Sequence, residues 1–235
     1  MSPVPASYKK LSVIVPVFNE RNTVGEIIRR MRAVTLPVDL EIVIVDDGSD
    51  DGTREVIDQL RDSTVRVVLH PRNLGKGSAV RTGLEHVTGD LVLVQDADLE
   101  YDPDDWPLLL RPVLKGKAQV VYGSRFTGER RNMFFLHWMG NRFLSLVTNA
   151  LYNTTLSDME TCYKLFDRDL ILSLHLRADH FDFEPEVTAR VLRRGVRIYE
   201  VPISYAGREF HEGKKITWRD GFVALWTLVK CRFVD

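Results

Sequence analysis

The chain has 235 residues, 44% of them hydrophobic and 28% charged, with a formal net charge of −1. That length suits one large α/β domain, with or without an appended lobe, and the composition is globular rather than disordered. The near-neutral balance does not argue for a nucleic-acid partner. Cys162 and Cys231 lack metal-type spacing and read as reduced thiols of a cytosolic protein.

Met1 to Lys10 contains no apolar core of a signal peptide. Leu11–Val17 is the first expected strand, followed by a helix from about Arg21 to Val34. A second strand ends at Asp46, and Asp51-Gly52-Thr53 leads into a helix closing near Asp62. Val65–Leu69 is the third strand, and the loop from His70 to Ser78 opens a helix reaching His86. Asp90–Gln95 is the fourth strand, Asp102-Pro103 starts the next helix, and Ala118–Tyr122 is the fifth strand. This alternation predicts a doubly wound, mostly parallel sheet. Ile42–Val45 and Leu91–Val94 are uninterrupted apolar runs, as expected of strands buried on both faces.

The rhythm changes after Ser124. A basic, aromatic segment runs from Arg125 to Tyr152, and Thr161–Phe166 reads as a short strand. Phe183 to Arg194 reads as a helix, Val196–Val201 as a strand, and Thr217 to about Arg232 as a last amphipathic helix. Two stretches of one continuous domain are therefore expected, 1–125 binding a nucleotide and 126–235 forming an acceptor-side lobe. Met133 to Tyr152 is the most apolar stretch, but Arg142 inside it would cost roughly 3 kcal/mol at the centre of a bilayer. A transmembrane helix is rejected.

Two of the buried strands run directly into acid: Asp46-Asp47-Gly48-Ser49 after the second, and Asp96-Ala97-Asp98-Leu99-Glu100 after the fourth. In open parallel sheets the functional crevice lies at the carboxyl ends of the strands. Like charges gathered there need a cation or hydrogen-bond donors. Asp96, Asp98 and Glu100 offer hard oxygen ligands suited to Mg²⁺ or Mn²⁺, and a diphosphate would share such a metal. Asp51 and Thr53 can cap the second helix, which leaves Asp46 or Asp47 to accept bonds from a nucleobase or ribose. Gly75-Lys76-Gly77 opens a helix where backbone N–H groups and the dipole favour an anion. It is not a Walker A loop. In Val15-Pro16-Val17-Phe18-Asn19-Glu20 the proline ends a strand, and Asn19 suits a helix cap.

These four loops together resemble family 2 glycosyltransferases, in the order and at the strand ends that family uses. Gly123-Ser124-Arg125, the string Ser157-Asp158-Met159-Glu160-Thr161-Cys162-Tyr163-Lys164 and Glu212-Gly213-Lys214-Lys215-Ile216 resemble its polyprenyl-phosphate, dolichol-phosphate mannose synthase-like branch. The resemblance covers about Leu11 to Phe222 and implies a GT-A fold. It implies nucleotide-sugar contacts at Pro16, Val17, Asn19, Glu20, Asp46, Asp47, Gly75, Lys76, Asp96 and Ala97, and a Mg²⁺ or Mn²⁺ site at Asp96, Asp98 and Glu100. Arg208 with Lys214 or Lys215 is expected to close over the donor phosphates, and Arg125 and Arg131 to hold an acceptor phosphate. Asp158 is expected to orient the sugar or assist the acceptor. The implied reaction is inverting hexosyl transfer, from GDP-mannose or a UDP-hexose, to a polyprenyl or dolichyl phosphate at the cytoplasmic membrane face. Glu100 stands where dolichol-phosphate mannose synthases often carry Gln, and the Asp158–Lys164 string has a bacterial look.

Three rivals explain fewer residues. A sugar-phosphate nucleotidyltransferase calls for a glycine- and arginine-rich loop after the first strand, and a receiver module leaves Asp96 to Glu100 unused. A catalytically silent sugar-nucleotide binder is separated only by turnover. The run Met133–Leu144, flanked by Arg125, Arg130, Arg131 and Arg142, suits a helix lying in a membrane interface, with burial between lobes as the alternative. The stripe Trp218, Phe222, Leu225, Trp226 and Val229 suits core or membrane equally.

Overall fold

A computed structural model describes residues 8–208 and 218–234. The first half alternates as expected: β1 (Lys10–Val17), α1 (Val24–Ala33), β2 (Asp39–Asp46), α2 (Thr53–Gln59), β3 (Val65–Leu69), α3 (Lys76–Leu84) and β4 (Leu91–Val94). A 3₁₀ turn, Pro103–Asp105, then leads into α4 (Trp106–Leu114) and β5 (Val120–Ser124). The second half adds α5 (Phe135–Tyr152), β6 (Lys164–Asp167), α6 (Arg168–Ser173), α7 (Phe183–Arg193), β7 (Ile198–Pro202) and α8 (Trp218–Phe233).

The strands form one seven-stranded sheet in the order β3-β2-β1-β4-β6-β5-β7. All neighbours are parallel except β6, which runs antiparallel to both β4 and β5. Ile42 to Val45 and Leu91 to Val94 are buried, because helices cover both faces of the sheet. β6 comes from the second half of the chain and sits between two strands of the first, so both halves share one sheet and one main core.

Two boundaries move for local reasons. β6 begins at Lys164 and ends at Asp167, whose side chain accepts from the Leu170 amide and caps α6. α1 starts at Val24, and Asn19 does not cap it. Asn19 instead exchanges hydrogen bonds with Asp50, stitching the first acidic loop to the second at a backbone φ of 53°. Asparagine tolerates that left-handed conformation better than most residues.

The loop Arg177–Asp182 is pinned between α3 and α7. Glu186 accepts from the amides of Arg177 and Ala178, while the amides of Gly77 and Ser78 donate to the carbonyls of His180 and Asp179. A Cβ on Gly77 would collide with the Ala178 carbonyl. Gly77→Ala should therefore lower folding stability by about 1–3 kcal/mol, as overpacking does. Gly140→Ala, in α5 with open space around it, should hold or raise stability by up to about 1 kcal/mol. Chemical denaturation of the two variants beside the wild type measures both.

Candidate active site

A cavity of about 910 Å³ opens at the carboxyl ends of β1, β2, β4 and β5 and is walled by α5, α7, α8 and the segment Tyr205–Arg208. Of the residues expected to bind substrate or metal or to catalyse, Pro16, Val17, Glu20, Asp47, Gly75, Lys76, Asp96, Ala97, Asp98, Glu100, Arg125, Arg131 and Arg208 all line it. Asn19 lines an adjoining hollow together with Arg131 and Arg208. Lys214 and Lys215 lie outside the described residues.

The acidic residues are matched by internal cations. Lys76 Nζ lies 2.8 Å from Asp96 Oδ1 and 2.8 Å from Glu184 Oε1. Burial alone would pull this ammonium's pKa down, but Asp96 and Glu184 outweigh it and hold the pKa well above the usual lysine range. Asp96 is partly buried, which pushes its carboxyl up, yet Lys76 keeps it below the ordinary range. Arg208 reaches Asp98 Oδ2 at 2.8 Å and Glu20 Oε1 at 3.3 Å, and its own amide donates to Glu100 Oε1. Tyr205 donates to the other oxygen of Glu100. Asp98 remains overcharged: burial first, then Asp96 and Glu100, push its carboxyl up to about 7 against the pull of Arg208. Leu99 adopts a φ of 62°, a left-handed bend that is costly for a branched residue. The Glu100 amide closes the bend on Asp98 Oδ1. Beneath it, Gln95 accepts from Tyr163 and Trp106 and donates to the Asp96 carbonyl, fixing the end of β4.

Several expected roles are corrected by geometry. Asp46 is fully buried and does not line the cavity; Oδ2 accepts from the Ser49 amide and Arg54 Nε. Asp47 does face the cavity, but it already accepts from His70 and from the amides of Leu74 and Gly75. It therefore shapes the third loop. The opening of α3 is no vacant anion cradle, because the Asp179 and His180 carbonyls take its Ser78 and Gly77 amides and the glycines make room for that loop. Asp158 does not line the cavity: it is fully buried, with Oδ2 on Arg125 Nε and Oδ1 on Arg125 Nη2, each at 2.8 Å. It positions Arg125, which also stacks on Tyr205 at 5.3 Å. Arg130 and Arg142 pack on the Phe126 ring and donate to main-chain carbonyls.

Glu160 and Glu184 also line the cavity, and neither was assigned a role from sequence. Glu184, in the first turn of α7, reads in sequence as dipole compensation. Glu160 is pushed up to about 7 by burial and by Glu184, against Lys164 and Arg125. Lys164 is pulled down to about 8, chiefly by burial.

Residues 12–174, well over half of the chain, match glycosyl transferase family 2. The chain belongs to that family. Among solved structures it is similar to glucosyl-3-phosphoglycerate synthase from Mycobacterium tuberculosis in complex with Mn²⁺, UDP and glucosyl-3-phosphoglycerate, at 21% identity and a TM-score of 0.74. That match covers 97% of this chain and 81% of the other. The same mycobacterial enzyme with Mg²⁺ and UDP matches at 21% identity and a TM-score of 0.74, covering 97% and 80%. A further structure of that enzyme matches at 22% identity and a TM-score of 0.75, covering 97% and 82%. At that identity the likeness establishes a shared GT-A fold, and this chain is a glycosyltransferase by family.

The raised carboxyl of Glu160 gives this glycosyltransferase a signature in pH. A carboxyl whose folded pKa lies above its unfolded value stabilises the fold least once it is charged. The wild type should therefore lose stability as pH rises from about 4.5 to about 7. Glu160→Gln, neutral throughout, should abolish that part of the loss. Its melting temperature relative to wild type should be higher at pH 8 than at pH 5; an equal difference at both would contradict the burial argument.

Proposed function

We propose that this family 2 enzyme transfers a hexose, with inversion, from a nucleotide diphosphate sugar to the phosphate of a polyprenyl lipid at the cytoplasmic membrane surface. The observation that carries the lipid is the wall of the cavity itself. Met133, Phe134, Leu136 and Leu144 line it, and α5 continues outward through Phe135 (69% exposed), Met139 and Phe143. α8 lies against α5 through Leu144, Met159, Ala224 and Leu228, and turns Phe222 and Trp226 (65% exposed) to the outside. The side chain of Trp218 lies outside the described residues. Exposed apolar surface of this extent, joined to a charged cavity, suits an amphiphile with an anionic head. No described helix is long and apolar enough to cross a membrane, so attachment would be peripheral.

The donor end is supported by the acidic loop. Hard oxygen donors, with Asp98 overcharged by its neighbours and a guanidinium drawn in among Glu20, Asp98 and Glu100, fit a divalent cation. Among the described residues no three carboxylates or histidines already converge as a ligand shell, so Asp96, Asp98 and Glu100 would have to turn from Lys76 and Arg208 to hold one. When bound, Mg²⁺ or Mn²⁺ supplies neutralisation of the diphosphate. Arg208 would follow the diphosphate and stabilise the charge on the leaving group. Arg125, held by Asp158, and Arg131 would grip the acceptor phosphate. A phosphate monoester is already largely anionic at neutral pH, with a second pKa near ~6, so positioning and charge neutralisation suffice without a strong base.

A second reading comes from another structure of the mycobacterial enzyme, in complex with Mn²⁺, UDP and phosphoglyceric acid: a small soluble phosphorylated acceptor would also fit the arginines. One assay separates the two. The protein is incubated with UDP-glucose or GDP-mannose, Mn²⁺ and either a short-chain polyprenyl phosphate or 3-phosphoglycerate. Transfer to the lipid is expected, with Phe135→Asp lowering both that transfer and binding to anionic liposomes severalfold. Transfer to 3-phosphoglycerate alone would overturn the lipid assignment.

A further inference from the structure

Glu160 differs from the other carboxyls of the cavity. Asp96 and Glu184 share Lys76, Asp98 and Glu100 meet Arg208, and Asp47 takes three donors. Among the described residues Glu160 makes no hydrogen bond or ion pair, and its Oε1 is buried. The nearby cations are engaged elsewhere. Lys164 donates to the carbonyls of Met159 and Thr161 and lies over the Tyr122 ring, while Arg125 is clamped by Asp158. A buried carboxyl oxygen without a partner is costly, and the cavity it lines is the one place a partner can come from.

The partner's chemistry follows from the surroundings. Glu160 lies within electrostatic reach of Glu184, Lys164, Arg125 and Asp158. Glu184 belongs to the Lys76–Asp96 network that faces the donor, and Arg125 faces the acceptor. Glu160 is coupled to both and lines the cavity they share. Phosphate would be repelled by a carboxylate, whereas a hydroxyl can both donate to a carboxyl and accept from one. We infer that Glu160 is a specificity-determining residue that hydrogen-bonds a hydroxyl of the hexose being transferred. This inference rests on the proposed function. Burial and Glu184 hold the Glu160 carboxyl up to about 7, so near neutral pH a protonated fraction is present that can donate.

The test is the ratio of the dissociation constant for a sugar nucleotide to that for its bare nucleoside diphosphate. It is measured by calorimetry with Mn²⁺ for UDP-glucose against UDP and for GDP-mannose against GDP. Dividing by the bare nucleotide cancels general damage to the site, and binding of UDP or GDP reports that each variant is folded. Loss of one hydrogen bond in Glu160→Ala should raise the ratio for the cognate sugar about fivefold to tenfold. Glu160→Asp, whose carboxyl is one methylene shorter, should raise it about threefold. Glu160→Gln, which keeps both a donor and an acceptor, should stay within about twofold of wild type. Unchanged ratios in Glu160→Ala and Glu160→Asp would overturn this role and leave the transferase reading intact. A Gln variant as impaired as Ala would overturn the contact through a neutral carboxyl. A wild type that binds neither sugar nucleotide would overturn both readings.

Discussion

The carboxyl edge of the sheet carries more negative charge than a partly enclosed cavity can hold unaided, and three cations drawn from distant parts of the chain make it tenable. Lys76 from the start of α3 joins Asp96 to Glu184, Arg125 from the end of β5 is fixed by Asp158, and Arg208 beyond β7 gathers Glu20, Asp98 and Glu100. Each pair is partly or wholly desolvated, so each interaction is stronger than a surface salt bridge and each unpaired member would be correspondingly costly. The arrangement ties β1, β4, β5, α3 and α7 to one another at the place where chemistry is proposed. Under that proposal the diphosphate and its cation exchange partners with an existing charge network instead of entering an empty one.

The second organising feature is apolar. α5 and α8 bury Leu144, Ala224 and Leu228 between them and leave Phe135, Leu136, Phe222 and Trp226 outside. The same α5 supplies Leu136, His137 and Leu144 to the cavity wall, so hydrocarbon surface and charged cavity are continuous. The helix expected to be interfacial or buried has one buried face and one exposed apolar face. Its buried face anchors it to α8, and its outer face lacks a partner among the described residues.

Much of the fold was legible because buried strands advertise themselves. Ile42–Val45 and Leu91–Val94 admit few other readings, and of the acids that follow them Asp47, Asp96, Asp98 and Glu100 line the cavity. The direction of β6 was not legible, since four residues carry no signal of whether a neighbour runs parallel. Polar partners were also hidden, because they depend on contacts between residues far apart in sequence. Nothing local links Asp158 to Arg125, or Glu20 to Arg208. Gly75-Lys76-Gly77 shows the converse error: its glycines do permit close approach, but what approaches is the loop at Asp179 and His180. Glu160, within Ser157–Lys164, gives no signal in sequence, because an absent partner leaves no trace there.

The claim on which this account turns is that Arg208 holds the acidic loop in the way a metal and diphosphate would replace. Mn²⁺ uptake followed by paramagnetic resonance tests it without any turnover. Wild-type protein alone should bind Mn²⁺ weakly and gain at least about tenfold in affinity when UDP or GDP is added, since coupling of this kind is typically 1–3 kcal/mol. Arg208→Gln should bind Mn²⁺ more tightly than wild type in the absence of nucleotide. Equal Mn²⁺ affinity in wild type and variant, with no gain from either nucleotide, would contradict the account.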